Sequence, residues 1–334
     1  MPETAGLRAL VDRFAERTII VVGDLIEDEY LIGKPGRISR EAPVIILKFT
    51  ERDVRLGGAA NAAHNLRALD ARVLPVGVIG RDRAGEELVA LFHAVGVPTD
   101  GIVTEAGRPT PVKTRIMAGG YQATRQQVVR LDREPTEELA PTTEDGLLSR
   151  LTSLAAHADA IVLSDYGYGT LTPRLYERIR AIARRRHLVV TADSRYDLPR
   201  FSGVTAATPN EAELAELTGT AVDDERELEK AGHQLLERLD ARMLLVTRGS
   251  QGLALLERDG ATTFMPIFGS DEIADVTGAG DTVISTFTVA LAAGSAPVQA
   301  ATLANVAGGL VVLKRGTATV TRAELAQALG PGAS

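Results

Sequence analysis

The apolar positions of this chain alternate between two periodicities. Thr18-Ile-Ile-Val-Val-Gly23 is apolar and β-branched, ends in glycine and is followed by acidic residues, the pattern of a buried strand opening into a loop. Similar short runs recur at 73–79, 160–163, 188–192, 203–207 and 243–247. Between them the spacing turns helical and predicts helices near 59–69, 85–95, 137–156, 173–185, 211–217 and 225–239. This βαβ alternation implies an α/β fold with a central, mostly parallel sheet covered by helices on both faces. A hairpin over 253–266 and helical stretches near 280–293, 297–313 and 322–329 close the chain, and an amphipathic helix opens it.

Two segments break the alternation. Residues 30–55 mix Gly33, Pro35, Gly36 and Pro43 with Val44-Ile-Ile-Leu-Lys-Phe49, and residues 110–133 carry PVKTRIMAGG and QQVVRLDRE around Gly119 and Gly120. Both read as strands and turns, which predicts a small projecting sheet with Gly/Pro-rich hinges and a hairpin turn at the glycine pair. The expectation is one domain over 1–334 with a β lid formed by about 30–55 and 110–133. Projecting strands have edges to cover, and a homodimer joined through the lid would cover them.

Composition removes several classes of function. With 37 Lys plus Arg against 44 Asp plus Glu, the net charge of -7 supplies no whole-chain attraction to nucleic acid or anionic lipid. Aromatic residues are only 4% with no Trp, leaving little material for stacking bases, so no nucleic-acid partner is expected. No apolar run reaches signal-peptide or bilayer-spanning length, which predicts no membrane partner. Zero cysteines exclude disulfides and thiolate chemistry and fit a cytoplasmic protein. His64, His93, His157, His187 and His233 are scattered without metal-ligand or triad spacing. Arg184-Arg-Arg-His187 reads as the end of a surface helix, where positive charge complements the dipole.

The most informative segment is Ala274-Asp-Val-Thr-Gly-Ala-Gly-Asp-Thr282, followed at once by an apolar helical run. Gly278 and Gly280 permit tight backbone geometry and place Asp281 near the first turn of a helix, whose unpaired N–H groups can surround a phosphoryl group. An Asp there could accept the proton of an attacking hydroxyl. An ordinary helix cap built from Gly and Asp is the alternative reading of the same letters. Neither a Walker A loop nor a GxGxxG fingerprint occurs. Asp165 follows an apolar strand and precedes Gly167, at an end where open α/β sheets place ligands, and a turn cap is the alternative reading of the same residue; Asp24 follows β-branched residues in the same way.

The DVTGAGD string resembles the C-terminal signature of the ribokinase-like (PfkB) carbohydrate kinases. The resemblance implies a ribokinase-like three-layer α/β/α fold with a small projecting β lid, ATP and Mg²⁺ as cofactors, Asp281 as general base, and Gly278, Ala279 and Gly280 as the anion hole. Gly57, Gly58 and Asn61 resemble the family's GG-x-x-N sugar signature, and Asp28 its early sugar-hydroxyl ligand. Asn210 and Glu213 in TPNEAEL resemble its N-x-x-E motif of the magnesium and phosphate region, with Glu213 acting on Mg²⁺ indirectly. Thr247, Gly249 and Gly252 resemble a nucleotide-binding turn, Asn305 a position near the adenine, and Asp275 and Thr277 a loop that holds a monovalent cation such as K⁺.

Within that family GDLIEDEYLIGKPGRISREAPV, KTRIMAGG, QQVVRLD, LSDYGYG and KRGTATVTRAEL resemble the branch that phosphorylates D-glycero-β-D-manno-heptose 7-phosphate at the anomeric hydroxyl. A small-molecule sugar phosphate and ATP are the partners this implies. No H-x-G-H nucleotidyltransferase signature occurs, so a kinase without a fused adenylyltransferase is expected. The acceptor phosphate needs cations, for which Arg37, Arg40, Lys113 and Arg115 in the lid are the candidates. Lys113 is the most register-sensitive of them, since a one-residue slip turns it to solvent. Two departures from the branch remove a lysine each: Asp193-Ser-Arg195-Tyr196 stands in place of a DPKG-like segment and Asp165-Tyr-Gly-Tyr168-Gly in place of DYGKG. Arg195 restores one positive charge as a planar fork suited to phosphate.

Overall fold

The computed structural model describes residues 2–119, 125–269, 275–314 and 316–330. Gly120, Ala274 and Arg315 therefore lie outside the described residues. The main sheet has nine strands: β1 (Thr18–Gly23), β4 (Arg72–Gly80), β5 (Ile102–Glu105), β8 (Ala160–Asp165), β9 (Val189–Ser194), β10 (Ala206–Ala207), β11 (Met243–Thr247), β12 (Leu253–Glu257) and β13 (Thr263–Met265). Their spatial order is β13-β12-β11-β10-β9-β8-β1-β4-β5, with every pairing parallel from β11 to β5. The β12 hairpin turns antiparallel at one edge.

Alternate residues of β1 feed two separate cores. Ile19 and Val21 pack with α1 (Pro2–Asp12), α2 (Ala59–Ala68), α3 (Arg83–Ala94), α8 (Ala279–Ala292), α9 (Pro297–Val311) and α10 (Arg322–Ala328). Ile20 and Val22 pack against α4 (Pro141–Leu154), α5 (Pro173–Arg186), α6 (Glu211–Thr218) and α7 (Glu225–Leu239) on the other face. Burial on both sides is why these strands are continuously apolar.

The second sheet is the lid, in the order β3-β2-β6-β7. It comprises β2 (Leu25–Ile38), β3 (Ile45–Gly58), β6 (Val112–Ala118) and β7 (Gln126–Arg133). β2 starts five residues before the expected boundary, and β3 runs without interruption into α2. The register sets Asp28 beside Lys113 and Tyr30 beside Arg115, so all four side chains share one face. Two expectations change. The strand predicted over 203–207 shrinks to Ala206–Ala207, because Gly203 takes a left-handed φ of 89° and its N–H bonds to Leu239 O. The short edge strand β5, only four residues long, was too brief to register as a periodic signal.

Arg52 of β3 locks the lid to the body. Its guanidinium reaches Glu29 at 2.5 Å and Glu87 of α3 at 2.7 and 3.0 Å, with Glu27 at 3.4 Å. Glu27 is almost fully buried, and burial together with the neighbouring Glu87 charge pushes its carboxyl up to about 7.

Candidate phosphoryl-transfer site

Asp281 sits in the first turn of α8, beneath the lid. Gly278 caps that helix with a φ of 78°, and a Cβ there would come within 2.6 Å of the Asn61 amide nitrogen, so only glycine fits. The N–H of Ala279 bonds to Val276 O at 3.1 Å, which removes Ala279 from the expected anion hole. The N–H groups of Gly280 and Asp281 are first-turn donors without an intrahelical acceptor, and the positive end of the helix dipole adds to them.

The Asp281 carboxylate is 4% exposed and held from both sides. Asn61 Nδ2 donates to Oδ2 at 2.7 Å and Tyr166 OH donates to Oδ1 at 3.3 Å. Asn61 is fixed in turn by Asn65, and Thr282 Oγ1 donates to Asn65 Oδ1 at 2.8 Å. Burial, reinforced by the Asp28 charge, pushes the Asp281 carboxyl up to about 7 against the opposing pull of Asn61, Tyr166 and Lys113. A group that titrates near neutrality at a helix N-terminus suits a general base.

The acceptor side of the cleft comes from the lid. Asp28 accepts from Arg115 Nη1 at 2.6 Å, and Gly57 lies against it so closely that a Cβ would stand 2.7 Å from Asp28 Cγ. Gly58, with φ 56°, lets the chain turn into α2, and the N–H of Ala59 reaches Asp24 O. Arg115 and Arg55 both lie over the Tyr30 ring at 5.3 Å. Lys113 is turned inward, its ammonium 4.6 Å from the Tyr166 ring centroid, and burial lowers its pKa. Arg37 and Arg40 are exposed at the far end of the lid, away from the acceptor cluster. The distal half of β2 projects past the body, so these two are removed from the acceptor cluster.

Asp165 and Asp24 are organisers of the loop after β8. Asp165 accepts from Ser194 Oγ at 2.6 Å and pairs with Arg200 at 2.8 Å, which occupies both its oxygens. Asp24 accepts from the N–H groups of Tyr166, Tyr168 and Thr170. Arg108 donates to the Tyr168 carbonyl, and Tyr168 OH donates to Glu134.

The nucleotide-type residues line an apolar cavity of about 160 Å³ beside the helix N-terminus. Thr247, Gly249, Gly252, Asn305 and Gly280 all face it. Asn305 Nδ2 is fixed by Pro266 O at 2.7 Å, and Gly309 leaves no room for a Cβ, which would meet Phe268 O at 2.2 Å. A flat base fits such an apolar slot between glycine backbones. Asn210 and Glu213 form a reciprocal capping box at the start of α6, with bonds of 2.8 and 2.9 Å, so the N-x-x-E motif first fixes a helix end. Arg195 does not line the cavity. It is exposed, and its charge is felt by Lys113 and Asp193, which places it toward the acceptor side. Asp275 accepts from the N–H groups of Thr277 and Gly316 at 2.9 Å, stapling two loops together and holding its carboxyl below the usual range. Among the described residues no cluster of three or more His, Asp or Glu side chains forms a ready-made metal site.

Two residues of the site lay outside the sequence expectations. Tyr166 touches Asp281 directly. Asp193 presents Oδ2 3.9 Å from where a Gly280 Cβ would stand, and burial beside Asp281 raises its carboxyl well above the ordinary range.

Residues 16–324 match the pattern of the "pfkB family carbohydrate kinase" family. The chain is 41% identical over 312 residues to the bifunctional protein HldE of Geobacter sulfurreducens, covering 93% of this chain and 62% of that protein. It is 40% identical to the HldE of Geobacter metallireducens, covering 98% of this chain and 66% of the relative. The chain thus spans about two thirds of the length of these curated relatives. Among solved structures, Arabidopsis thaliana ribokinase complexed with ribose and ATP superposes with a TM-score of 0.73 at 19% identity over 95% of this chain and 99% of that one. Phosphofructokinase-2 of Escherichia coli in complex with potassium gives 0.75 at 17% identity, covering 94% and 98%. At those identities the likeness shows the three-layer fold with its β lid.

Proposed function

The chain belongs to the pfkB family of carbohydrate kinases, and from that premise we propose that it transfers the γ-phosphoryl group of ATP to the anomeric hydroxyl of D-glycero-β-D-manno-heptose 7-phosphate. The observation that carries the reading is the buried Asp281 carboxylate in the first turn of α8, between an apolar cavity and a cationic lid face. The heptose acceptor is supported by the segment resemblances and by relatives named HldE at about 40% identity.

In this mechanism Asp281 orients the anomeric hydroxyl and takes its proton as the oxygen attacks the γ-phosphorus. The bond from phosphorus to the bridging oxygen breaks, and its electron pair leaves with ADP. The N–H groups of Gly280 and Asp281 face the charge on the migrating phosphoryl group. Asp28 binds a sugar hydroxyl, and Lys113, Arg115 and Arg195 neutralise the acceptor phosphate. The lid excludes water, which limits wasteful hydrolysis of ATP. Magnesium supplies charge neutralisation when bound. The ATP phosphates would supply most of its ligands, and Glu213 would act on it indirectly. A monovalent cation such as K⁺ would be held by the loop of Asp275 and Thr277.

Asp281→Asn tests the assignment of the base. Turnover should fall on the order of 10²- to 10⁴-fold with ATP affinity retained. Unchanged turnover would remove Asp281 from that role.

The lid bears Ile38, Val44, Phe49 and Leu131 as apolar side chains, each at least 55% exposed. A second copy packed lid to lid covers them, and we assign the protein as a homodimer on this basis. Among the described residues no helix is long and apolar enough to cross a membrane. Its use of ATP and its lack of cysteine favour the cytoplasm.

A further inference from the structure

The two oxygens of Asp281 each receive one side-chain donor, Asn61 at Oδ2 and Tyr166 at Oδ1. Tyr166 has a dedicated support. Asp24, at the end of β1 and 1% exposed, accepts the N–H groups of Tyr166 at 2.9 Å, Tyr168 at 3.1 Å and Thr170 at 3.2 Å. Three donors converging on one buried carboxylate fix the loop backbone and so aim the phenol. The preceding residue, Asp165, is tied to Ser194 and Arg200. The Lys113 ammonium covers the ring at 4.6 Å. Burial among Asp281, Asp193 and Asp28 raises the phenol well above its ordinary pKa, so Tyr166 keeps its proton and acts as the donor.

The charged and titratable groups around Asp281 are Asp28 from β2, Lys113 from β6, Asp193 from β9 and Tyr166 from the loop after β8. Asp28 opposes ionisation of Asp281, whereas Lys113, Asn61 and Tyr166 favour it. The Asp281 charge in turn helps to raise the Asp193 carboxyl. A hydroxyl donated to a carboxylate stabilises the ionised form and fixes which lone pair faces the cleft.

We propose that Tyr166 is a positioning residue of the transfer site, holding Asp281 oriented and ionised, and that Asp24 acts on catalysis through the loop that carries Tyr166. The proposal rests on the reading of Asp281 as the base. The titration arm of its experiment, however, needs no substrate.

Tyr166→Phe keeps the ring beneath Lys113 and deletes only the hydroxyl. The titration of Asp281 is followed by carbon-13 NMR in the full chain, with the carboxyl signal assigned from Asp281→Asn. The midpoint should rise by about 0.5–1 pH unit in Tyr166→Phe, the size expected for one ordinary hydrogen bond, here 3.3 Å long. In turnover, the acid limb of kcat should move up by the same amount, so kcat at pH 7 falls roughly two- to fivefold and recovers at higher pH, while KM for ATP holds. Asp24→Asn should shift the midpoint in the same direction, and the double variant should shift it by less than the sum. An unchanged Asp281 midpoint in Tyr166→Phe overturns the proposal, as does a kcat loss equal at every pH. Absence of turnover on every sugar phosphate by the unaltered protein, with the midpoint shift present, would instead overturn the kinase reading alone.

Discussion

The amide of Asn61 donates to Asp281 Oδ2 at 2.7 Å across 220 residues of sequence. It joins the first turn of α2 to the first turn of α8, where Thr282 to Asn65 and Ser285 to Ala62 O add further hydrogen bonds, so the lid strand that runs into α2 is tied to the helix that carries the base. The resemblance assigned Asn61 to the sugar; in the structure its donor is engaged by the carboxylate.

Asn61→Ala should therefore impair the base more than the acceptor site. Losing a donor from a buried carboxylate costs about 1–3 kcal/mol, read as a lower urea midpoint at pH 8, where Asp281 is ionised. The acid limb of kcat should rise, and KM for the acceptor should change less than kcat. A KM effect with kcat preserved would restore the sugar-ligand role.

The raised pKa of Asp281 gives activity and stability opposite pH trends. Its carboxyl titrates at about 7 in the fold against 3.8 as the ordinary value. Between those values the folded state holds a proton that the unfolded chain has released, so this group's contribution to stability is full below about pH 4 and is lost as pH rises through about 7. Turnover follows the ionised form and climbs across the upper part of that window. Asp281→Asn removes the buried charge, and thermal melts should show it gaining on the parent protein from pH 5 to pH 8. Parallel melting curves across that range would contradict the assignment.

Arg52→Met should loosen the lid from the body. It strands Glu27, Glu29 and Glu87 beside one another, and removal of one partner from a buried ion network costs roughly 3 kcal/mol. Because Glu27 titrates at about 7, lowering the pH to 5 neutralises it and should shrink the loss. Urea melts at the two pH values read the difference.

A lid-to-lid dimer makes Phe49 and Leu131 contact residues. Replacing both with Asp should yield monomers in sedimentation velocity without unfolding the body, since both side chains are exposed in the single chain. An unaltered dimer would move the interface elsewhere, and a monomeric parent protein would remove it.

How far the sequence reached depended on where the cause of each feature lies. The sheet was legible because β1, β8 and β11 are buried on both faces and leave uninterrupted apolar runs. Strand β5 has four residues at an edge, too few for periodicity. The glycines of the 278–280 turn announced the helix N-terminus, but only coordinates show the Ala279 N–H closed by Val276. Lys113 turned inward because β6 pairs in the register that sets it beside Asp28, a parity that pattern alone does not fix. Tyr166 carries no spacing signal at all. Its place is set by Asp24, 142 residues earlier, through backbone donors that any residue type could supply.

The most direct test of the account is Mg²⁺/ATP turnover on D-glycero-β-D-manno-heptose 7-phosphate beside fructose 6-phosphate, ribose and adenosine, with the product position read by phosphorus NMR. The account predicts dominant transfer to the heptose, with the new phosphate at the anomeric oxygen. Preferred phosphorylation of another acceptor, or of a different hydroxyl, would contradict it and turn attention to Tyr168 and Arg195, the two positions where this chain departs from the heptose branch.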